Sequence, residues 1–167
     1  FFWNEFCDWY IESTKLSLYS RDENEKDRAA TLLAGILEET LRLLHPLLPF
    51  ITEEIYQKLP RREEACIAAA FPACDPGRSY PEEAESYRTL QELVRKVRTL
   101  RSEFTIPPER KIRVAVKVET GFFALAYLGR HEELLKLLIG AGEVTVSESQ
   151  TQEPGSIAVV GTGFEAF

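Results

Sequence analysis

Hydrophobic positions recur at two different periods along this chain. Up to about Ile106 they return every three or four residues, as on helices; beyond it they alternate, as on strands. The opening run Trp3-Asn4-Glu5-Phe6-Cys7-Asp8-Trp9-Tyr10-Ile11-Glu12 reads as a helix. Trp3, Phe6, Cys7 and Tyr10 make its expected buried stripe, widened by Phe2 and Trp9. So apolar a helix must dock on something, and a chain starting there looks cut from a longer one. A second helix is expected from Glu23 to Leu44, with Leu32, Leu33, Ile36, Leu37, Leu41 and Leu44 inward. Pro46 ends it near His45 by removing an amide donor. Pro49 opens a short helix with Ile51, Ile55, Tyr56 and Leu59 inward, stopped at Pro60. Arg61 to Pro81 reads as an irregular connection.

A long helix follows from Pro81 to about Phe104, with Leu90, Leu93, Val94, Val97, Leu100 and Phe104 as its stripe. Ile106-Pro107-Pro108 ends it. Lys111 to Glu119 then alternates as a half-buried strand, and Ala124 to Ile139 reads as one helix closed by Gly140. Glu143 to Ser147, Ser156 to Val160 and Gly163 to Phe167 are strand-like. The expected fold class is α+β. A helical bundle over 1–106 precedes a small mixed α/β subdomain over 107–167.

Composition narrows the function. The 167 residues are 44% hydrophobic, enough for a real core, and the net charge is -7. A sequence-blind nucleic-acid binder would be basic overall, but a local basic face is compatible with this charge. Cys7, Cys66 and Cys74 match no zinc spacing and read as reduced thiols of a cytosolic protein. No apolar run is long enough for a membrane span and no signal peptide is visible, so a cytoplasmic location without membrane contact is expected. Catalysis finds no support: His45 reads as a packing residue and His131 as a solvated one. Glu38-Glu39 and Glu53-Glu54 diverge on helix surfaces, and no phosphate-cradling glycine loop precedes a helix.

Two features remain as candidate binding chemistry. Arg88, Arg95 and Arg98 lie along one side of the long helix, with Lys96 and Arg101 flanking and Arg110, Lys111 and Arg113 shortly after. Arginine forks match phosphate oxygens, but cations in the C-terminal half of a helix also offset its dipole, and spacing alone fits both. At the end of the first helix, Ile11, Glu12 and Lys15 fall off the apolar stripe. An apolar–acidic–basic trio there suits the reading of unpaired bases.

The opening run resembles a motif of valyl-tRNA synthetases, in their helical anticodon-binding domain. The stretch Leu43-Leu44-His45-Pro46-Leu47-Leu48-Pro49-Phe50-Ile51-Thr52-Glu53-Glu54-Ile55-Tyr56 resembles a block shared with the isoleucyl and leucyl enzymes. Arg98-Thr99-Leu100-Arg101-Ser102-Glu103-Phe104, with Ile106-Pro107-Pro108 and Lys111-Ile112, resembles a block that favours the valyl enzyme. Ser156 to Phe167 looks like the strand pair before that family's coiled-coil arm. Where the family often has a tryptophan–proline pair, this chain has Phe71-Pro72.

The resemblance implies a tRNA-docking, anticodon-recognising portion of an enzyme that joins valine to tRNA(Val) with ATP and Mg²⁺. The HIGH and KMSKS signatures are absent from this chain, so it implies no cofactor and no catalytic residue here. It further implies a monomeric parent and the catalytic and editing domains as partners in the same polypeptide. Ile11 and Glu12 would lie near the anticodon bases, and the basic residues of the long helix, Arg88, Arg95, Arg98 and Arg101, would then be backbone contacts; Lys15 joins them as the basic member of the off-stripe trio. The alternatives are the same region of an isoleucyl-type enzyme and a helical module that binds protein only.

Overall fold

The computed structural model describes residues 1–60 and 65–167. The part of the expected irregular connection at 61–64 lies outside the described residues. The chain forms two compact units, Phe1–Arg78 and Ser79–Phe167.

The first unit is helical. A π-helical segment, Phe2–Ile11, runs into α1 (Glu12–Leu18), followed by α2 (Glu23–Leu44) and α3 (Pro49–Tyr56). Two short 3₁₀ turns follow, Cys66–Ala68 and Pro76–Arg78. Asp22 caps α2, its Oδ1 accepting from the Asn24 amide at 2.9 Å. Pro49 begins α3, where its missing amide costs nothing. Leu41, Tyr56 and Cys66 form a buried cluster, with Leu37, Ile55, Leu59 and Ala69 around it.

The π geometry changes which aromatics go inside. The Phe1 carbonyl accepts from both the Glu5 and the Phe6 amides, at 2.8 and 3.3 Å. Bonding five residues on takes more residues per turn than an α-helix, so a stripe drawn at period 3.6 drifts round the axis. Phe2, Phe6 and Tyr10 instead stack in sequence, with ring centroids 5.7 Å apart in both steps. Phe6 and Trp9 are buried, and Trp3 is 73% exposed. The expectation of an inward Trp3 is therefore corrected. Leu32, Ile51 and Phe104, also expected inside, are exposed.

The second unit is two-layered. The long α4 (Pro81–Glu103), α5 (Leu125–Arg130) and α6 (Glu132–Ile139) accompany a four-stranded mixed sheet. Its strands are β1 (Arg113–Val118), β2 (Glu143–Ser147), β3 (Val159–Gly161) and β4 (Phe164–Ala166), in the order β2-β1-β4-β3. β1 pairs in parallel with β2 and antiparallel with β4. Val114, Val116 and Val118 all point to the buried face, as period-two alternation requires. The single helix expected over Ala124 to Ile139 is broken at His131, whose backbone leaves helical geometry (φ -112°, ψ 26°). Gly140 closes α6 in the left-handed region at φ 73°. By compactness α4 belongs with the sheet, through contacts with β3, α5 and α6.

Candidate nucleic-acid interface

Two regions carry the residues singled out in the sequence. The first is the end of the N-terminal helix. Ile11, Glu12 and Lys15 are all half-buried where the π segment becomes α1. Lys15 Nζ donates to Glu12 Oε1 at 2.6 Å, so the two charges face solvent as a pair. The trio thus comes together on one surface.

That surface is held at its far end by the corner between α1 and α2. Ser17 Oγ and Ser20 Oγ donate to the two oxygens of Glu25, at 2.9 and 2.5 Å. These hydroxyls, Ser20 foremost and Ser17 next, hold the Glu25 carboxyl below the usual glutamate range. The Asp22 amide donates back to Ser20 Oγ at 3.2 Å.

The second region is the arginine set of α4, and here the geometry separates the residues. Arg101 is 8% exposed. Its Nη1 donates to the carbonyls of Ile139 and Gly140, both at 3.1 Å. Its Nη2 donates to Pro107, Pro108 and Arg110 at 2.8, 3.3 and 3.1 Å. Arg98 donates twice to the Leu138 carbonyl, from Nε at 2.9 Å and Nη2 at 2.6 Å. Both arginines therefore satisfy carbonyls left open at the C-terminal end of α6, and their charge suits the negative end of its dipole. Arg88 pairs with Glu85 and lines a groove with Glu82, Glu83, Tyr127 and Arg130. Lys96 approaches Glu92 at 3.7 Å. Arg95 is exposed. The set does not form one continuous cationic flank: two members face carbonyls and one stands among acids.

His45 is half-buried, as a packing residue should be; His131, expected to be solvated, is half-buried as well, its Nδ1 2.7 Å from the Tyr127 carbonyl oxygen. His45 Nδ1 lies 2.8 Å from Thr52 Oγ1, and that hydroxyl also donates to the Leu48 carbonyl at 2.8 Å. His131 stacks on Tyr127 with centroids 4.2 Å apart. Burial pushes the Tyr127 hydroxyl, like that of Tyr10, above its ordinary range. Cys66 is buried, Cys7 half-buried and Cys74 exposed, all as free thiols. Burial likewise raises the Cys66 thiol.

Among the described residues no three His, Cys, Asp or Glu side chains converge on a point that could hold a metal ion. No described helix is long and apolar enough to cross a membrane.

The sequence reading did not single out Tyr19 or Arg21, both exposed at the α1–α2 corner. Tyr19 is 81% exposed. The available signal was an aromatic residue outside every apolar stripe, beside a capping aspartate.

The chain is thus a helical unit with a mixed apolar and charged helix end, joined in sequence to a small α/β unit. The family profile described as the anticodon-binding domain of tRNA ligase matches residues 1–116. The chain belongs to that family. It is 46% identical to the valine–tRNA ligase of Treponema denticola, covering 100% of this chain and 19% of that protein. It is 39% identical to the valine–tRNA ligase of Treponema pallidum, covering 100% of this chain and 20% of that protein. With the valine–tRNA ligase of Oceanobacillus iheyensis it shares 35% identity, over 100% of this chain and 19% of that protein. The chain thus spans about a fifth of the length of these curated relatives.

Proposed function

We propose that this chain is the tRNA-docking, anticodon-recognising portion of a valine–tRNA ligase. The polypeptide carrying it would attach valine to tRNA(Val) in the cytoplasm, as a monomer, with ATP and Mg²⁺ held by other parts. The observation that carries this reading is similarity along the whole chain to valine–tRNA ligases, together with the anticodon-binding profile over residues 1–116. Within the chain, Ile11, Glu12 and Lys15 are the proposed base-reading residues, because they share one helix end and offer apolar, acceptor and donor groups side by side. Arg88, Arg95 and Arg98 are the exposed arginines of α4 and the ones placed to approach a phosphate. The bonds made by Arg88 and Arg98 give those two a structural role besides, and those of buried Arg101 favour a structural role for it.

The test is binding of tRNA(Val) and tRNA(Ile) by the natural polypeptide that carries this chain, over a salt series, beside aminoacylation with valine. Preference for tRNA(Val), with affinity falling as salt rises, is the expected result. Absence of salt-sensitive tRNA binding would overturn the reading. A module that binds protein alone draws on a different observation, the exposed run at Leu47, Leu48, Phe50 and Ile51, with Phe50 91% exposed. Association through that apolar surface would be nearly indifferent to salt.

A further inference from the structure

The N-terminal helix carries a row that the trio at its end does not exhaust. Ile11, Lys15 and Tyr19 follow one another in steps of four, so they share one face. Ile11 and Lys15 are half-buried, whereas the Tyr19 ring is 81% exposed. Among the described residues that ring stacks on no other aromatic and its hydroxyl has no hydrogen-bond partner. Tyrosine so placed gains nothing from burial and fills no core.

The corner beneath it is ordered. The Tyr19 amide donates to the Lys15 carbonyl at 3.0 Å, closing the last turn of α1. On either side of the ring, Ser17 and Ser20 hold Glu25, and Asp22 caps α2. The ring therefore projects from a fixed backbone, and a surface fixed in advance loses less entropy on binding.

Local charge selects the occupant. Lys15, Arg21, Lys26 and Arg28 stand here against Glu12, Asp22, Glu23, Glu25 and Asp27. Lys15 is paired with Glu12 and Lys26 with Glu23. A surface so nearly balanced does not attract a phosphate backbone. A free ring beside a donor–acceptor pair instead suits an unpaired base, which stacks by its face and is read along its edge.

We infer that Tyr19 is a stacking platform for an unpaired base of the tRNA anticodon loop, whose neighbours are met by Lys15, Glu12 and Ile11. This rests on the tRNA-docking reading above. It adds a contact residue at the α1–α2 corner and makes the interface a row along α1 rather than a point at its start.

The experiment measures affinity of the natural polypeptide for tRNA(Val) across a salt series, with Tyr19→Phe, Tyr19→Leu and Tyr19→Ala. An anticodon stem-loop bearing 2-aminopurine among its unpaired bases reports stacking directly. Tyr19→Phe is expected to bind as the wild type does and to quench the probe equally. Tyr19→Ala is expected to weaken binding by about 5- to 150-fold, the range for losing one base–aromatic stack. The slope of affinity against salt should stay unchanged, because no phosphate contact is removed. Tyr19→Leu should fall on the side of alanine. Salt-sensitive wild-type binding with Tyr19→Ala or Tyr19→Leu within about twofold of it would overturn the stacking role alone. Failure of the wild type to bind tRNA would overturn the docking reading with it.

Discussion

Arg101 and Gly140 are joined by a hydrogen bond of 3.1 Å from a buried guanidinium to the carbonyl that closes α6. The same guanidinium holds Ile139 and three carbonyls of the segment after α4, so it ties the end of one helix to the end of another. No shorter or neutral side chain can reach all five acceptors. Arg101→Met is therefore expected to destabilise the chain by about 3 kcal/mol or more, as buried carbonyls lose their donors. Arg101→Lys should recover only part, because a point charge cannot replace the fork. Denaturant unfolding checks this. Unchanged stability with weakened tRNA binding would return Arg101 to the interface.

The two tryptophans of the opening segment should separate sharply. Trp9 is 6% exposed and Trp3 is 73% exposed. Trp9→Ala is expected to cost about 3–5 kcal/mol through lost burial and the cavity left behind. Trp3→Ala removes an edge contact with Phe2 at 5.8 Å and should cost well under about 1 kcal/mol. Thermal unfolding of both variants, side by side, decides it. Equal losses would mean that the opening segment follows the α-helical stripe and not the π geometry.

Those tryptophans also mark where the sequence is a good guide. α2 is found over Glu23–Leu44 and β2 over Glu143–Ser147, as read from periodicity, because capping residues and strict alternation bound them. Periodicity assumes one number of residues per turn, so it could not see that Phe2–Ile11 is wound more loosely, nor that Trp3 swings outward. The break at His131 was likewise invisible, since Leu128 and Leu135 on either side are both buried and keep the apolar pattern going. For the interface, residue type placed cations on α4, but type does not tell a guanidinium facing water from one facing carbonyls. That distinction depends on α6 arriving beside α4, a contact made between segments far apart in sequence.

The β3–β4 hairpin depends on an absent side chain. Gly161 pairs in register with Phe164, whose ring is 1% exposed. A Cβ at Gly161 would lie 2.1 Å from that ring. Gly161→Ala is thus expected to cost about 1–3 kcal/mol by overpacking, with the ring forced out of place. Combining it with Phe164→Leu should cost less than the sum of the two single changes, since the smaller side chain relieves the clash. Strict additivity in a double-mutant cycle would show that the ring already has somewhere else to go.

Acid should loosen the corner under Tyr19. Glu25 is held below the ordinary glutamate range by the Ser20 and Ser17 hydroxyls. A carboxyl lowered on folding contributes stability above its unfolded pKa and loses it as pH falls through the folded value. The corner is therefore intact at neutral pH and weakens only on the acid side of the usual glutamate range. Titration of the Glu25 side-chain carbon by NMR should show a midpoint below the ordinary glutamate range, and Ser20→Ala should move it back up. Because Ser17 still donates to the other oxygen, Ser20→Ala should restore only part of the shift, and the double change Ser17→Ala with Ser20→Ala the remainder. A wild-type Glu25 that titrates within the ordinary glutamate range would mean that the hydroxyls do not hold it in solution, and that the backbone beneath Tyr19 is freer than the hydrogen bonds imply.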